Sequence, residues 1–214
     1  MTSELSQEHM MGTSIMACCY DGGVILGADS RTSTGSYVAN RVSDKITEVA
    51  DGIYCCRSGS AADTQAISDI VRYYLNMYEM DMSRPPTVWR CAQFFRKLCY
   101  ENKDRLLAGI IVAGYDKEKG GQVYSVPIGG SLVQQPFSIG GSGSSFIYGY
   151  CDAHYKDSFT REECEAFVVT ALSLAMSRDG SSGGVIRTCT INADGVSRNM
   201  YPGNALRSFG DQAW

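Results

Sequence analysis

Apolar positions near the start of the chain fall into two short blocks, "SIMACCY" (14–20) and "VILGADS" (24–30), joined by Asp21, Gly22 and Gly23. Two apolar runs around residues that tolerate positive φ predict a β-hairpin. A second pair follows, "RVSDKITEV" (41–49) and "IYCCRSG" (53–59), separated by "ADG". The period then lengthens. From Ala62 onward, Ala66, Ile67, Ile70, Val71, Tyr74, Leu75 and Tyr78 recur at steps of three and four, which predicts a helix. Ser60 with Asp63 resembles a capping box in which Asp replaces the usual Glu or Gln. "RPPT" closes that helix, and 88–105 reads as another.

Beyond this pair the short period returns. Strands are predicted over 106–116, 122–130 and 131–141, divided by glycine-containing turns. Helices are predicted over 144–155 and, behind the capping box "TREE" that opens at Thr160, over 164–180. A last hairpin covers 185–201 and turns at "ADG". The order is strands, two helices, strands, two helices, strands. Hairpins instead of βαβ crossovers predict an α+β chain with antiparallel sheets, and two such sheets with helix pairs outside would bury one face of every element. No linker, low-complexity segment or internal repeat breaks the pattern, so one domain is expected.

Composition narrows the classes. The 214 residues are 44% hydrophobic and 20% charged, with a formal charge of −4. No Lys/Arg run exceeds two residues, so nucleic acid and anionic membrane are not expected partners. The longest apolar run, "LLAGIIVAGY", is about half of what a bilayer crossing needs. "MTSELSQEHMMG" has neither the basic start and apolar middle of a signal peptide nor the arginines of a transit peptide, so an intracellular protein is expected. The nine cysteines form no C-x-x-C and read as buried free thiols. The neighbours Cys18–Cys19 and Cys55–Cys56 lie in strand patterns and should face opposite ways.

Only two histidines are present, too few for a His-ligated metal site. "GSSGG" (180–184) fits G-x-S-x-G, but a helix precedes it, a strand follows, and no histidine lies downstream. "GGSGSS" (140–145) lacks the lysine and the βαβ context of a phosphate loop. A nucleophile that needs no histidine is an N-terminal Thr or Ser, whose own α-amine, with a pKa near 7.7–8.0, serves as the base. Cleavage at Gly12–Thr13 would create one at the head of the first strand. Taken locally, that junction is equally a polar tail meeting a strand.

Distant residues alter that balance. "GTS" (12–14), "GADSRTSTG" (27–35), "DK" (44–45), "CCRSGSAADTQ" (55–65), "GGSGSSFIYGY" (140–150) and "SRDGSSGGVIR" (177–187) stand in the order and spacing found in proteasome beta-type subunits, which are N-terminal-nucleophile hydrolases. The resemblance runs from Thr13 to about Ser197. It implies a four-layer αββα sandwich and a threonine endopeptidase of the peptidase T1 family. Among the catalytic types the chain looks like the caspase-like, post-acidic subunit. It further implies stacked seven-membered rings shared with other alpha and beta subunits, unfolded polypeptide substrates, a cytoplasmic and nuclear location, and no cofactor or metal.

Roles follow from the matching positions. The resemblance makes Thr13 the nucleophile, Asp29 and Lys45 the charged pair beside it, and Ser142, Asp179 and Ser182 the hydrogen-bonded group flanking its amine. The main-chain N–H of Gly59 becomes the oxyanion donor. Arg57 becomes the floor of the pocket for the side chain preceding the cut, where a guanidinium pairs with a carboxylate and repels basic residues. An arginine holding a helix start is the other reading of Arg57. Thr32, Ser43, Thr47, Ala61 and Gln65 are expected around the same pocket. Residues 1–12 read as a propeptide, 13–214 as the mature domain, and Gly12 as the processing residue. Ser14 replaces the second threonine of the common "GTT" start and is expected to point away with little effect. Two rivals accompany this reading: a purely architectural beta subunit, and a bacterial-type ring of one subunit kind, which the specialised Arg57 disfavours.

Overall fold

The computed structural model describes residues 12–34 and 37–206. The expected propeptide, apart from Gly12, lies outside them, as does the end of the tail. Strand β1 (Ile15–Tyr20) turns through Asp21–Gly22 into β2 (Gly23–Ala28), the predicted first hairpin. A short ribbon follows, β3 (Thr32–Thr34) with β4 (Tyr37–Asn40), and then the second hairpin, β5 (Ile46–Ala50) with β6 (Ile53–Gly59). Helices α1 (Ala61–Met82) and α2 (Val88–Glu101) lead to β7 (Ala108–Asp116), β8 (Gly120–Val126), β9 (Val133–Gln134) and β10 (Phe137–Gly140). A 3-10 turn at Ser142–Phe146 precedes α3 (Tyr148–His154) and α4 (Arg161–Arg178), and β11 (Ile186–Asn192) and β12 (Gly195–Tyr201) finish the fold.

Two five-stranded sheets result, ordered β10-β1-β2-β11-β12 and β5-β6-β7-β8-β9, and every pairing is antiparallel. Strand alternation divides the side chains among three buried layers. Ile15, Ala17, Leu26, Cys56 and Ile111 meet between the sheets. Met16, Cys18 and Ile25 face the other way, against Cys164, Phe167 and Leu172 of α4. Cys55, Ile110 and Val112 face Val71 of α1 and Phe95 of α2. The predicted αββα sandwich is therefore observed. The adjacent cysteines diverge as expected, all nine are free, and all but Cys19 are buried. Burial pushes the Cys55 thiol up to about 11 and leaves it a core residue.

Several local expectations need correction. The strand predicted over 131–141 is two strands in different sheets, β9 on β8 and β10 on β1. Pro136 stands at the break, where a residue without an N–H cannot extend a ladder, although its carbonyl accepts from Cys19 N–H at 2.8 Å. The strand predicted from residue 41 starts only at Ile46, because the preceding segment bonds sideways: Ser43 N–H donates to Ser30 O (3.0 Å) and Asp44 Oδ1 accepts from Ile46 N–H (3.0 Å). The helix predicted over 144–155 begins as the 3-10 turn. The β3–β4 ribbon was not anticipated, since its residues lack an alternating apolar pattern. Thr160 and Glu163 form a reciprocal capping box, whereas Ser60 accepts from Asp63 N–H and receives nothing back. The Asp63 carboxylate instead accepts from Leu107 N–H at 3.1 Å and ties α1 to the approach of β7.

Candidate active site

Thr13 lies two residues before β1 and is buried. The hydroxyl donates to the Gly12 carbonyl at 2.7 Å, and Lys45 Nζ reaches the same oxygen at 3.4 Å. Gly12 has no room for a side chain: a Cβ there would stand 1.8 Å from Ser181 Cβ and 2.5 Å from Ser181 O. The junction is thus held against the loop after α4, and only glycine fits.

The charged pair lies behind the threonine. Asp29 follows β2, is fully buried, and receives four donors: Lys45 Nζ (2.6 Å) and Ser14 N–H (3.0 Å) on Oδ1, Gly183 N–H (3.0 Å) and Arg31 N–H (3.2 Å) on Oδ2. A buried carboxylate costs little once its lone pairs are filled in this way. Lys45 precedes β5 and is 8% exposed. Burial lowers its pKa below the usual 10.5, and the Asp29 carboxylate opposes that shift through charge and hydrogen bonding. The ammonium therefore gives up its proton more readily than a surface lysine does.

On the nitrogen side of Thr13, a chain of hydroxyls ends on one carboxylate. Thr13 N–H donates to Ser142 Oγ (3.2 Å), and Ser142 Oγ donates to Asp179 Oδ2 (2.7 Å). Ser182 Oγ donates to the same oxygen at 2.6 Å and accepts from Ser14 Oγ at 2.8 Å. Asp179 caps the C-terminus of α4, and Ser142 opens the 3-10 turn, so helix ends from two loops meet here. "GSSGG" serves as a support loop, in keeping with the sequence reading. Ser14, expected to have little effect, is not idle. It is buried at 1% exposure and feeds Ser182, a role that residue type alone does not reveal.

A cavity of about 100 Å³ opens beside Thr13. Of the residues expected around the pocket, Thr32, Ser43, Arg57 and Ala61 line it, joined by the candidate site residues Gly12, Thr13, Lys45 and Gly59 and by Asp44 and Thr64, which the sequence did not single out. Thr32 Oγ1 and Ser43 Oγ lie 2.8 Å apart, and Ser43 Oγ donates to Ser30 O at 2.8 Å. Thr47 is not on this cavity: β5 pairs it with Cys55 and turns it to the face opposite Ile46. Gln65 is not a lining residue either, but its Oε1 accepts from Arg57 Nη1 at 3.0 Å. Arg57 Nη2 donates to the Asp44 main-chain oxygen at 3.2 Å, while its Nε–H is buried without a protein partner. No carboxylate pairs with this guanidinium among the described residues. Three of its five N–H donors stay unspent, with a full positive charge behind them.

Gly59 ends β6 with φ +100°, a conformation L side chains rarely adopt, and a Cβ there would lie 2.3 Å from Leu107 O. The main chain consequently reaches the cavity wall bare. Among the described residues no group of His, Cys, Asp and Glu could hold a metal ion. Arg31 was missed by sequence reading. Its N–H donates to Asp29 and its Nη1 to Gly180 O (2.7 Å), linking the charged pair to the support loop, and its place two residues after Asp29 was the available signal.

The arrangement is one buried threonine hydroxyl flanked by a lysine and a hydroxyl–carboxylate chain, with a cationic recess beside it. Comparison with known proteins identifies the family. The family model described as "Proteasome subunit" matches residues 10–191. The chain is 62% identical over 199 residues to the proteasome subunit beta type-6 of Dictyostelium discoideum, covering 93% of each. It is 56% identical over 194 residues to the proteasome subunit beta type-1 of Saccharomyces cerevisiae (91% of this chain, 90% of that one). With the human proteasome subunit beta type-9 it shares 50% over 201 residues (94% and 91%). The chain belongs to the proteasome subunit family.

Proposed function

We propose that this subunit is a threonine endopeptidase of the proteasome core particle, that it cuts after acidic residues, and that it is latent until the Gly12–Thr13 bond is broken. In the particle it assembles with other alpha and beta subunits, the arrangement its family implies. The observation that carries the reading is the shared cavity: the nucleophile's hydroxyl and an uncompensated Arg57 line the same recess.

Maturation uses the same hydroxyl. Thr13 Oγ attacks the Gly12 carbonyl carbon, whose oxygen Lys45 polarises, and the C–N bond breaks as an ester forms. The nitrogen takes up the hydroxyl proton and becomes an amine. Water then hydrolyses the ester, releasing the Gly12 carboxylate and freeing the hydroxyl. Before this step the nitrogen is an amide and cannot act as a base. Afterwards it is an α-amine, normally titrating near 7.7–8.0, and the neighbouring Lys45 charge lowers that value further by like-charge repulsion.

Peptide cleavage repeats the attack on a substrate. The α-amine takes the Thr13 hydroxyl proton, and the oxygen adds to the scissile carbonyl. The Gly59 N–H stabilises the resulting oxyanion. The amine passes its proton to the departing substrate nitrogen, and water resolves the acyl ester. Ser142 and Asp179 orient the Thr13 nitrogen throughout. A Glu or Asp side chain entering the recess meets the unspent N–H donors of Arg57, where charge-assisted bonds are strong and a basic side chain is repelled.

The test is a particle carrying Thr13→Ala. Loss of cleavage after Glu, with the bond following Gly12 uncut by mass spectrometry, is the expected result. Unchanged cleavage after Glu makes the subunit architectural. Parent particles in which this subunit cuts after Leu faster than after Glu overturn the specificity.

A further inference from the structure

Among the described residues Arg57 is held by neutral acceptors alone, and one of them is itself held. Gln65 lies on the first turns of α1, where its Oε1 accepts from Arg57 Nη1 at 3.0 Å. Its Nε2 donates to Asp69 Oδ1 at 2.9 Å, one turn further along the same helix. A guanidinium can only donate and an ionised carboxylate can only accept. The amide between them therefore has a single orientation that satisfies both neighbours, oxygen toward Arg57 and nitrogen toward Asp69.

We infer that Asp69 is a specificity-determining positioning residue, which fixes the Gln65 amide so that it anchors Arg57 without neutralising it. The inference rests on the reading of Arg57 as the acid-binding floor. Gln65 and Asp69 are both exposed on α1, so packing does not hold the amide. Without Asp69 only Arg57 itself favours the oxygen-facing orientation, and the exposed amide loses the second neighbour that holds it there. The guanidinium then keeps the Asp44 carbonyl as its one main-chain anchor, and the Gln65 contact must be ordered again with each substrate. The amide is also the right chemical type for its place. A carboxylate at position 65 would pair with Arg57 and compete with the substrate's own carboxylate, whereas the amide accepts a hydrogen bond and leaves the charge available. Asp69 thus directs the pocket from one residue away.

A direct field effect of Asp69 would have the opposite sign. A negative charge near an acid-binding recess repels acidic substrates, so replacing it with a cation should improve their binding. The relay makes the reverse prediction. A lysine at 69 can only donate, so it recruits Gln65 Oε1 and turns Nε2 against Arg57, setting two donors face to face.

The experiment uses assembled, processed particles and fluorogenic peptides with Glu or Leu before the reporter, with the Thr13→Ala particle as the blank. For Asp69→Lys the KM for the Glu peptide should rise about 5- to 10-fold with kcat changed less than about twofold, the size expected when a charged group loses one anchor. Asp69→Asn keeps an oxygen acceptor for Gln65 Nε2 and should bring KM back to within about twofold of the parent. An unchanged or lowered KM for the Glu peptide in Asp69→Lys overturns the inference, as does an equal loss on both peptides, which marks a structural role of the helix. A parent particle whose Glu activity survives in the Thr13→Ala blank fails at an earlier point, at the proposed function itself.

Discussion

Lys45 Nζ stands 2.6 Å from Asp29 Oδ1 in a setting where both side chains are nearly closed to solvent. Buried pairs of this kind are weak contributors to stability, because desolvation offsets most of their attraction. Their effect here is on protonation. Burial draws the Lys45 pKa below 10.5, and Asp29 resists. In the proposed mechanism, protonated lysine is the form that lowers the pKa of the freed Thr13 amine and polarises the attacked carbonyl. Activity should consequently fall on the alkaline side at a pH below 10.5. Asp29→Asn removes a group that raises the lysine pKa, so the alkaline limb of the residual kcat/KM profile should move to lower pH. A limb that stays in place, or moves up, contradicts the assignment.

Removing the hydroxyl at Ser14 should also be felt at Thr13. Ser14→Ala deletes the donor into Ser182 Oγ and slackens the group converging on Asp179. Loss of one buried hydrogen bond costs about 1 kcal/mol, so kcat should drop about 3- to 10-fold while KM holds. Steady-state kinetics on a Glu peptide decide it, and unaltered kcat would return Ser14 to a bystander.

If the subunit matures as proposed, processing should depend on the fit of Gly12. An alanine there places its Cβ 1.8 Å from Ser181 Cβ, which forces the junction away from Thr13 Oγ and Lys45. Gly12→Ala should slow self-cleavage by more than about tenfold, since displacements near 1 Å already cost about a hundredfold in positioned reactions. Intact-mass measurement during assembly reports the uncut chain. Trimming at the parent rate would mean that the contact with Ser181 does not govern cleavage.

A fourth expectation concerns the edge hairpin. Glu165 Oε1 on α4 accepts from Thr188 Oγ1 (3.0 Å), Asn199 Nδ2 (2.8 Å) and Tyr201 OH (2.7 Å), pinning β11 and β12 to the helix layer. Burial raises the Glu165 pKa, but the three donors outweigh it and hold the carboxyl below the usual 4.5. A depressed folded pKa gives stability that is present above 4.5 and lost as pH falls through the folded value. Glu165→Ala should cost about 1 kcal/mol at neutral pH, discounted for partial exposure, and less in acid. Denaturant midpoints at the two pH values test the sign.

The elements were largely legible because burial imposes a period. The unbroken apolar runs of β1 and β6, buried on both faces, and the three-four steps of α1 reflect the layers each face must meet. What escaped was local bonding with no apolar signature. The β3–β4 ribbon has no alternating apolar pattern, residues 41–45 are shaped by Ser30 and by Asp44 itself, and one apolar run divides at Pro136 because a proline cannot serve two ladders. Within the site, the family resemblance pointed to Thr13, Asp29, Lys45, Ser142, Asp179 and Ser182, and the fold brings all six together. Thr47 strays because strand parity is set by pairing with Cys55, and the motif does not encode it.

Residue types and their order were thus sufficient for the layered architecture, the candidate nucleophile and the family, since hydrophobic period and spaced motifs are written along the chain. They were silent on which acceptor each donor would choose. Ser14 joining Ser182, Arg31 joining Asp29, Gly12 pressed on Ser181, and Gln65 set between Arg57 and Asp69 all depend on distances between residues remote in sequence or on side-chain direction. Hydrogen bonds are short-ranged and directional, so partners are assigned when the chain has closed. The composition of a site can be read in advance; its wiring waits for three dimensions.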